Sequence, residues 1–193
     1  MIKRALVVLS FVLIAAEGGG APPRRTLRFV AFANEEAPFF STPAMGSLRY
    51  AERCRDSREN VVAMFSLETI GYFSDAPHSQ QYPSMLHLIY PPTGNFIAFV
   101  SNLRSWRLLR KCVRNFRGLP AQSGALPESI AGVTWSDQWS FWRCGYPAVM
   151  VTDTALYRNP HYHTATDTPE KLDYDRLARV TDGLAAMLRQ IAT

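Results

Sequence analysis

Cysteine is scarce in this chain of 193 residues: only Cys54, Cys112 and Cys144 occur, far apart and odd in number. They form no paired metal-ligand spacing and close at most one disulfide, which excludes a cysteine metal site and a disulfide framework. All three read as buried free thiols and say little about compartment. Charge is also sparse, at 19% against 47% hydrophobic residues, a balance that excludes a disordered chain. No internal repeat and no low-complexity tract is present. No apolar run is long enough for a comfortable membrane span; the longest, residues 5–16, is broken only by Ser10. What remains is one globular domain with a substantial core.

That apolar run follows a basic start, Met1-Ile2-Lys3-Arg4, and precedes Gly18-Gly19-Gly20 and Ala21-Pro22-Pro23. Two readings fit it. One is a secretory leader with Ala15 and Ala16 near the cleavage point, which places the protein outside the cell or in a periplasm. The other is a helix packed on a sheet and stopped by the Gly/Pro loop, which leaves the protein in the cytoplasm. Residues 17–193 form the domain proper in both. The net charge of +5 comes largely from arginine, much of it on an expected helix from Leu103 to Arg117. There Trp106, Leu109, Val113 and Phe116 mark an apolar stripe, with Arg107, Arg110, Lys111, Arg114 and Arg117 on the other side. A basic face suits nucleic acid or an anionic membrane, but an amphipathic surface helix explains the pattern with no partner, and no nucleic acid is expected.

The rest of the chain is organised around residues 26–36. Phe29 to Ala33 is a short apolar run that suits a buried strand, and it ends in two adjacent carboxylates, Glu35 and Glu36. In an open α/β sheet ligands gather outside the carboxyl ends of strands, so an acid pair there sits where chemistry is done. One carboxylate can hold a metal while the other moves protons. A loop and a short helix, Met45 to Arg55, follow. A second buried strand, Val61 to Leu67, also ends in an acid, Glu68. Residues 74–93 are polar and proline-bearing, a long loop or lid. Asn95 to Val100 and Ala148 to Thr152 supply two more strands, and Tyr174 to Ile191 a last helix capped by Asp173. Helices alternating with short buried strands predict a three-layer α/β domain with a mostly parallel, mixed sheet.

Glu35, Glu36, Glu68 and His163 all fall in loops at strand ends, and carboxylate oxygens with an imidazole nitrogen are donors that catalytic zinc takes. No compact motif of the H-E-x-x-H kind joins them. The segments Arg25 to Glu36, Ser66-Leu67-Glu68-Thr69-Ile70-Gly71-Tyr72 and Tyr162-His163-Thr164-Ala165-Thr166-Asp167-Thr168 nevertheless resemble, in this order, motifs of the co-catalytic zinc aminopeptidases. This is metallopeptidase family twenty-eight, which also takes in the glutaminyl cyclases. The resemblance runs from about Ala21 to the C-terminus.

The resemblance implies a zinc-exopeptidase fold and a metal-dependent aminopeptidase that hydrolyses N-terminal residues from peptides, with two zinc ions in the complete site. Glu35 would be the general base, Glu36 and His163 ligands of one zinc, and Glu68 a ligand of the other. Asp137 resembles an acid standing just behind the metals, and Gln138 replaces a histidine common there. Trp135, Trp139 and Trp142 would wall a pocket for the substrate's terminal side chain or pack in the core. Asp167 would receive the far N–H of His163 or cap its loop. The family also uses an upstream histidine and an aspartate that bridges both metals; neither has a counterpart in order here, so the chain reads as an N-terminally truncated member with an incomplete zinc site. Two other readings stay open: a catalytically inactive remnant or binding module of the same fold, and an acyl transferase like the glutaminyl cyclases. Oligomeric state is left open.

Overall fold

A computed structural model describes residues 24–193. The stretch 5–16, expected as a leader or a helix, lies outside the described residues. Within them the elements run α1 (Gly46–Asp56), β1 (Met64–Glu68), β2 (Ile97–Asn102), α2 (Trp106–Asn115), β3 (Ala121–Leu126), α3 (Gln138–Arg143), β4 (Ala148–Thr152) and α4 (Tyr174–Ile191), with short 3-10 turns between. The four strands form one sheet in the order β1-β4-β2-β3. β1 runs parallel to β4 and β2 parallel to β3, while β2 meets β4 antiparallel, so the sheet is mixed and mostly parallel as expected.

Alternation along the strands divides the core in two. Ile97, Phe99, Val149 and Val151 face one way and pack with Leu108, Leu109, Cys112 and Phe116 of α2 and Val180, Leu184 and Met187 of α4. The opposite face carries Ala148 and Val100 against Ala51 of α1 and Phe141 and Trp142 of α3. Helices on both faces of a sheet with period-two side chains are the three-layer arrangement. α4 starts where the sequence says it should, because the Asp173 side chain accepts the N–H of Arg176. It also approaches the turn after α2 closely: a Cβ on Gly183 would lie 2.6 Å from the Phe116 ring and 2.8 Å from the Gly118 nitrogen.

Four local expectations change. Residues 29–33 form no strand among the described residues, and Phe29 and Val30 are each 38% exposed. The segment is held instead by Phe32, packed on Tyr50 and Phe141 at 5.5 and 6.2 Å between ring centroids. An apolar run of five residues fixes a preference for extended backbone, not a pairing partner. β3, Ala121–Leu126, is an unexpected strand, since Gln, Ser, Gly and Ala have little strand preference; pairing with β2 along its whole length overrides that. α3 is likewise hidden in an aromatic stretch. Finally α2 begins at Trp106, after a 3-10 turn in which Asn102 accepts the N–H of Ser105. Its buried stripe is Leu108, Leu109, Cys112 and Phe116, which leaves Trp106 roughly a third of a turn away, in solvent.

Candidate active site

The chain turns at Asn34, whose φ of 59° is the left-handed conformation that asparagine tolerates best after glycine. Its side-chain N–H is donated to the Ala44 carbonyl at 3.2 Å. The two neighbours after this turn differ in burial: Glu35 is only 7% exposed, while the Glu36 side chain is exposed. Gly46 fixes the turn from behind. Its N–H donates to Ala33 O at 2.9 Å, and a Cβ there would stand 2.6 Å from that same oxygen.

His163, from the loop between β4 and α4, reaches the same place. Its Nε2 is 3.8 Å from Glu36 Oε2, and its ring meets Tyr162 edge-on at 4.0 Å. Glu68 ends β1, half-buried, and its Oε1 accepts the Ser136 hydroxyl at 2.7 Å. Ser136 in turn lies 2.8 Å from the Ser66 hydroxyl, so a buried pair of serines holds the Glu68 carboxylate from below.

Asp137 opens α3 and is half-buried, without a side-chain bond to the first turn of that helix. Gln138 is fully buried and donates to the Val133 carbonyl at 2.9 Å, closing the turn that presents Trp135 and Ser136. Asp167 is half-buried, and its backbone N–H closes a turn onto Thr164 O at 3.2 Å. Of the tryptophans, Trp135 stands at the rim of a cavity of about 120 Å³, lined also by Glu68, Tyr82, Tyr90, Thr152 and Tyr162. Trp139 instead packs on Phe40 with Arg143 over its ring, and Trp142 is in the core with its indole N–H on Ala148 O.

Asp153 is the residue that motif reading passes over. It lies fully buried directly after β4 and accepts three backbone N–H groups, from Gly71 at 3.1 Å, Tyr72 at 2.7 Å and Ala155 at 3.0 Å. It thereby ties the loop after β1 to the loop after β4. Burial pushes its carboxyl up to about 6. Near it Arg158 is buried between the rings of Phe73 and Phe96, donating to Gln80 Oε1 and the Phe96 carbonyl at 2.8 Å each. Burial pulls that guanidinium down to about 10. A signal for Asp153 is present in the sequence all the same: it is a third acid at the end of a buried strand.

The donor types fit zinc, and the Glu36–His163 separation is within reach of two bonds of about 2.0–2.2 Å. Among the described residues, however, no group of three or more His, Cys, Asp or Glu converges to hold a metal. Two donors make half of an ordinary site.

Residues 5–188 match the sequence profile of Peptidase family M28. The chain is 37% identical over 170 residues to YfbL, an uncharacterised protein of Escherichia coli K12, an alignment covering 86% of this chain and 52% of that one. A segment of 51 residues is 45% identical to a probable leucine aminopeptidase of Arthroderma benhamiae, covering 26% of this chain and 14% of the relative. LapA of Legionella pneumophila superposes with a TM-score of 0.69 at 17% identity, over 96% of this chain and 45% of that one. BSAP, a zinc aminopeptidase from Bacillus subtilis, gives 0.63 at 19% identity, over 97% and 40%. The chain thus spans about half the length of the E. coli relative.

Proposed function

We propose that this chain, which belongs to peptidase family M28, carries part of a zinc-dependent aminopeptidase site acting on the N-terminal bond of peptides. The observation that supports this best is the meeting of Glu36 and His163, from opposite ends of the domain, beside a buried Glu35. Zinc, when bound, supplies Lewis acidity that polarises a carbonyl and acidifies water. Glu36 and His163 are the donors for one ion and Glu68 a donor for the second. The Ser136 hydroxyl, donated to Glu68 Oε1, orients that carboxylate. Glu35 takes a proton from the attacking water and passes it to the leaving amine, so one C–O bond forms as the C–N bond breaks. The cavity rimmed by Tyr82, Tyr90 and Trp135 receives the apolar side chain at the amino end of the peptide.

A second reading has its own support. Since no three donors converge among the described residues, the same fold and cavity would also serve a module that holds peptides without cleaving them. Release of aniline from an aminoacyl-anilide, with zinc present, separates the two. On the hydrolytic reading Glu35→Gln lowers kcat by about 10²–10⁴-fold while metal content, read by elemental analysis, survives. Full turnover in that variant removes Glu35 as the base. Saturable peptide binding without any turnover in the parent chain supports the binding module.

A further inference from the structure

Along α2 and the turns on either side of it stand Arg104, Arg107, Arg110, Lys111, Arg114 and Arg117, all exposed. No acidic residue occurs between Asp75 and Glu128. Among the described residues the ion pairs lie elsewhere, on Arg28, Arg49, Arg55, His163 and Arg176, and none involves these six cations. A helix that needs only solubility interleaves both signs, because opposite charges four residues apart attract and like charges repel. Here Arg107 faces Lys111 and Arg110 faces Arg114 at that repulsive spacing. The helix keeps this self-repulsion although its inner face, through Leu108, Leu109, Cys112 and Phe116, is fully used by the core.

The face is also more apolar than a solvated surface requires. Leu103 is 59% exposed and Trp106 is 42% exposed. The guanidinium carbons of Arg107 and Arg110 lie 5.6 and 5.5 Å from the Trp106 ring, so the indole is flanked by cations. At the far end Lys111, Arg114 and Arg117 border a shallow depression. An indole and a leucine at one end of a cationic strip have the chemistry of a surface that meets lipid headgroups and dips slightly below them. A phosphate backbone alone would leave Leu103 without use. The face is also well placed, since α2 packs on one side of the sheet while Ala98, Val100 and Met150, from the other side, line the cavity. Docking through α2 leaves the cavity open to water.

We propose that the outer face of α2 is a docking surface for an anionic phospholipid bilayer, with the six cations on headgroup phosphates and Trp106 and Leu103 entering the headgroup region. This peripheral contact requires no membrane-spanning segment and does not depend on the hydrolytic reading. Co-sedimentation of the full chain with vesicles of phosphatidylcholine, alone or mixed with phosphatidylglycerol, tests it. Binding is expected on the mixed vesicles only, and to weaken as salt is raised. Each cation near an anionic leaflet strengthens partitioning about fivefold, so the triple variant Arg107→Gln, Arg110→Gln, Arg114→Gln loses on the order of a hundredfold. Trp106→Ser weakens binding to the same vesicles, and circular dichroism of both variants matches the parent. Equal binding to neutral vesicles, or full binding by the triple variant, overturns the proposal and assigns any membrane affinity to another part of the chain, such as residues 5–16. Tighter binding to a short DNA duplex than to the mixed vesicles, lost in the triple variant, overturns it in favour of nucleic acid.

Discussion

Asp153 carries a cost that depends on pH. Its carboxyl titrates near 6 in the fold because burial disfavours the charge, against about 3.9 for an exposed aspartate. The folded state therefore holds its proton where the unfolded state has already released it. The contribution to stability is full below about pH 4 and is lost as pH rises through about 6, a change of about 3 kcal/mol. Unfolding free energies from urea titrations of the parent and Asp153→Asn, measured across this window, should diverge by about that amount; parallel curves would contradict the burial argument. The backbone N–H groups on this carboxylate favour its charged form and offset part of that burial cost. At the same scale the sequence singles out Glu35, Glu36, Glu68 and His163 by residue type, and the fold brings Glu36 and His163 within 3.8 Å of each other. Asp153 carries the sequence signal of an acid after a buried strand, but the tie it makes is not readable there, because two of its partners are backbone groups some eighty residues away in sequence. Trp139 shows the converse: its type suggests a pocket wall, but packing on Phe40 decides its place.

Elements with their own start signals are readable from the sequence, and elements made by their neighbours are not. α4 has a capping aspartate and a regular apolar stripe, and its observed bounds match the expected ones. β4 is uniformly buried and equally plain. β3 has neither property and exists because β2 lends it a ladder. The segment 29–33 has the composition of a strand but pairs with none among the described residues. Its position rests on the contact with α1, which makes Gly46 a sensitive point. Gly46→Ala places a methyl against the Ala33 carbonyl, so the segment bearing Glu35 must shift. A loss of about 1–3 kcal/mol is expected in chemical denaturation, with a smaller loss indicating that the loop gives way easily.

For the whole molecule the decisive quantity is how many donors meet. Calorimetric titration of the chain with zinc is expected to show weak binding, because the described residues bring two donors within 3.8 Å and gather no set of three. Two tight sites would contradict this. By itself the sequence determined the α/β class, the capped final helix, the acid that ends β1 and the membership in the peptidase family, since periodicity, caps and residue type act over a few neighbours. Only the tertiary structure decided the mixed strand order, the seating of Phe32 on Tyr50 and Phe141, the buried tie at Asp153 and the meeting of Glu36 with His163. Those depend on which distant surfaces find each other, a choice governed by burial and backbone pairing across the fold that no single stretch of chain encodes.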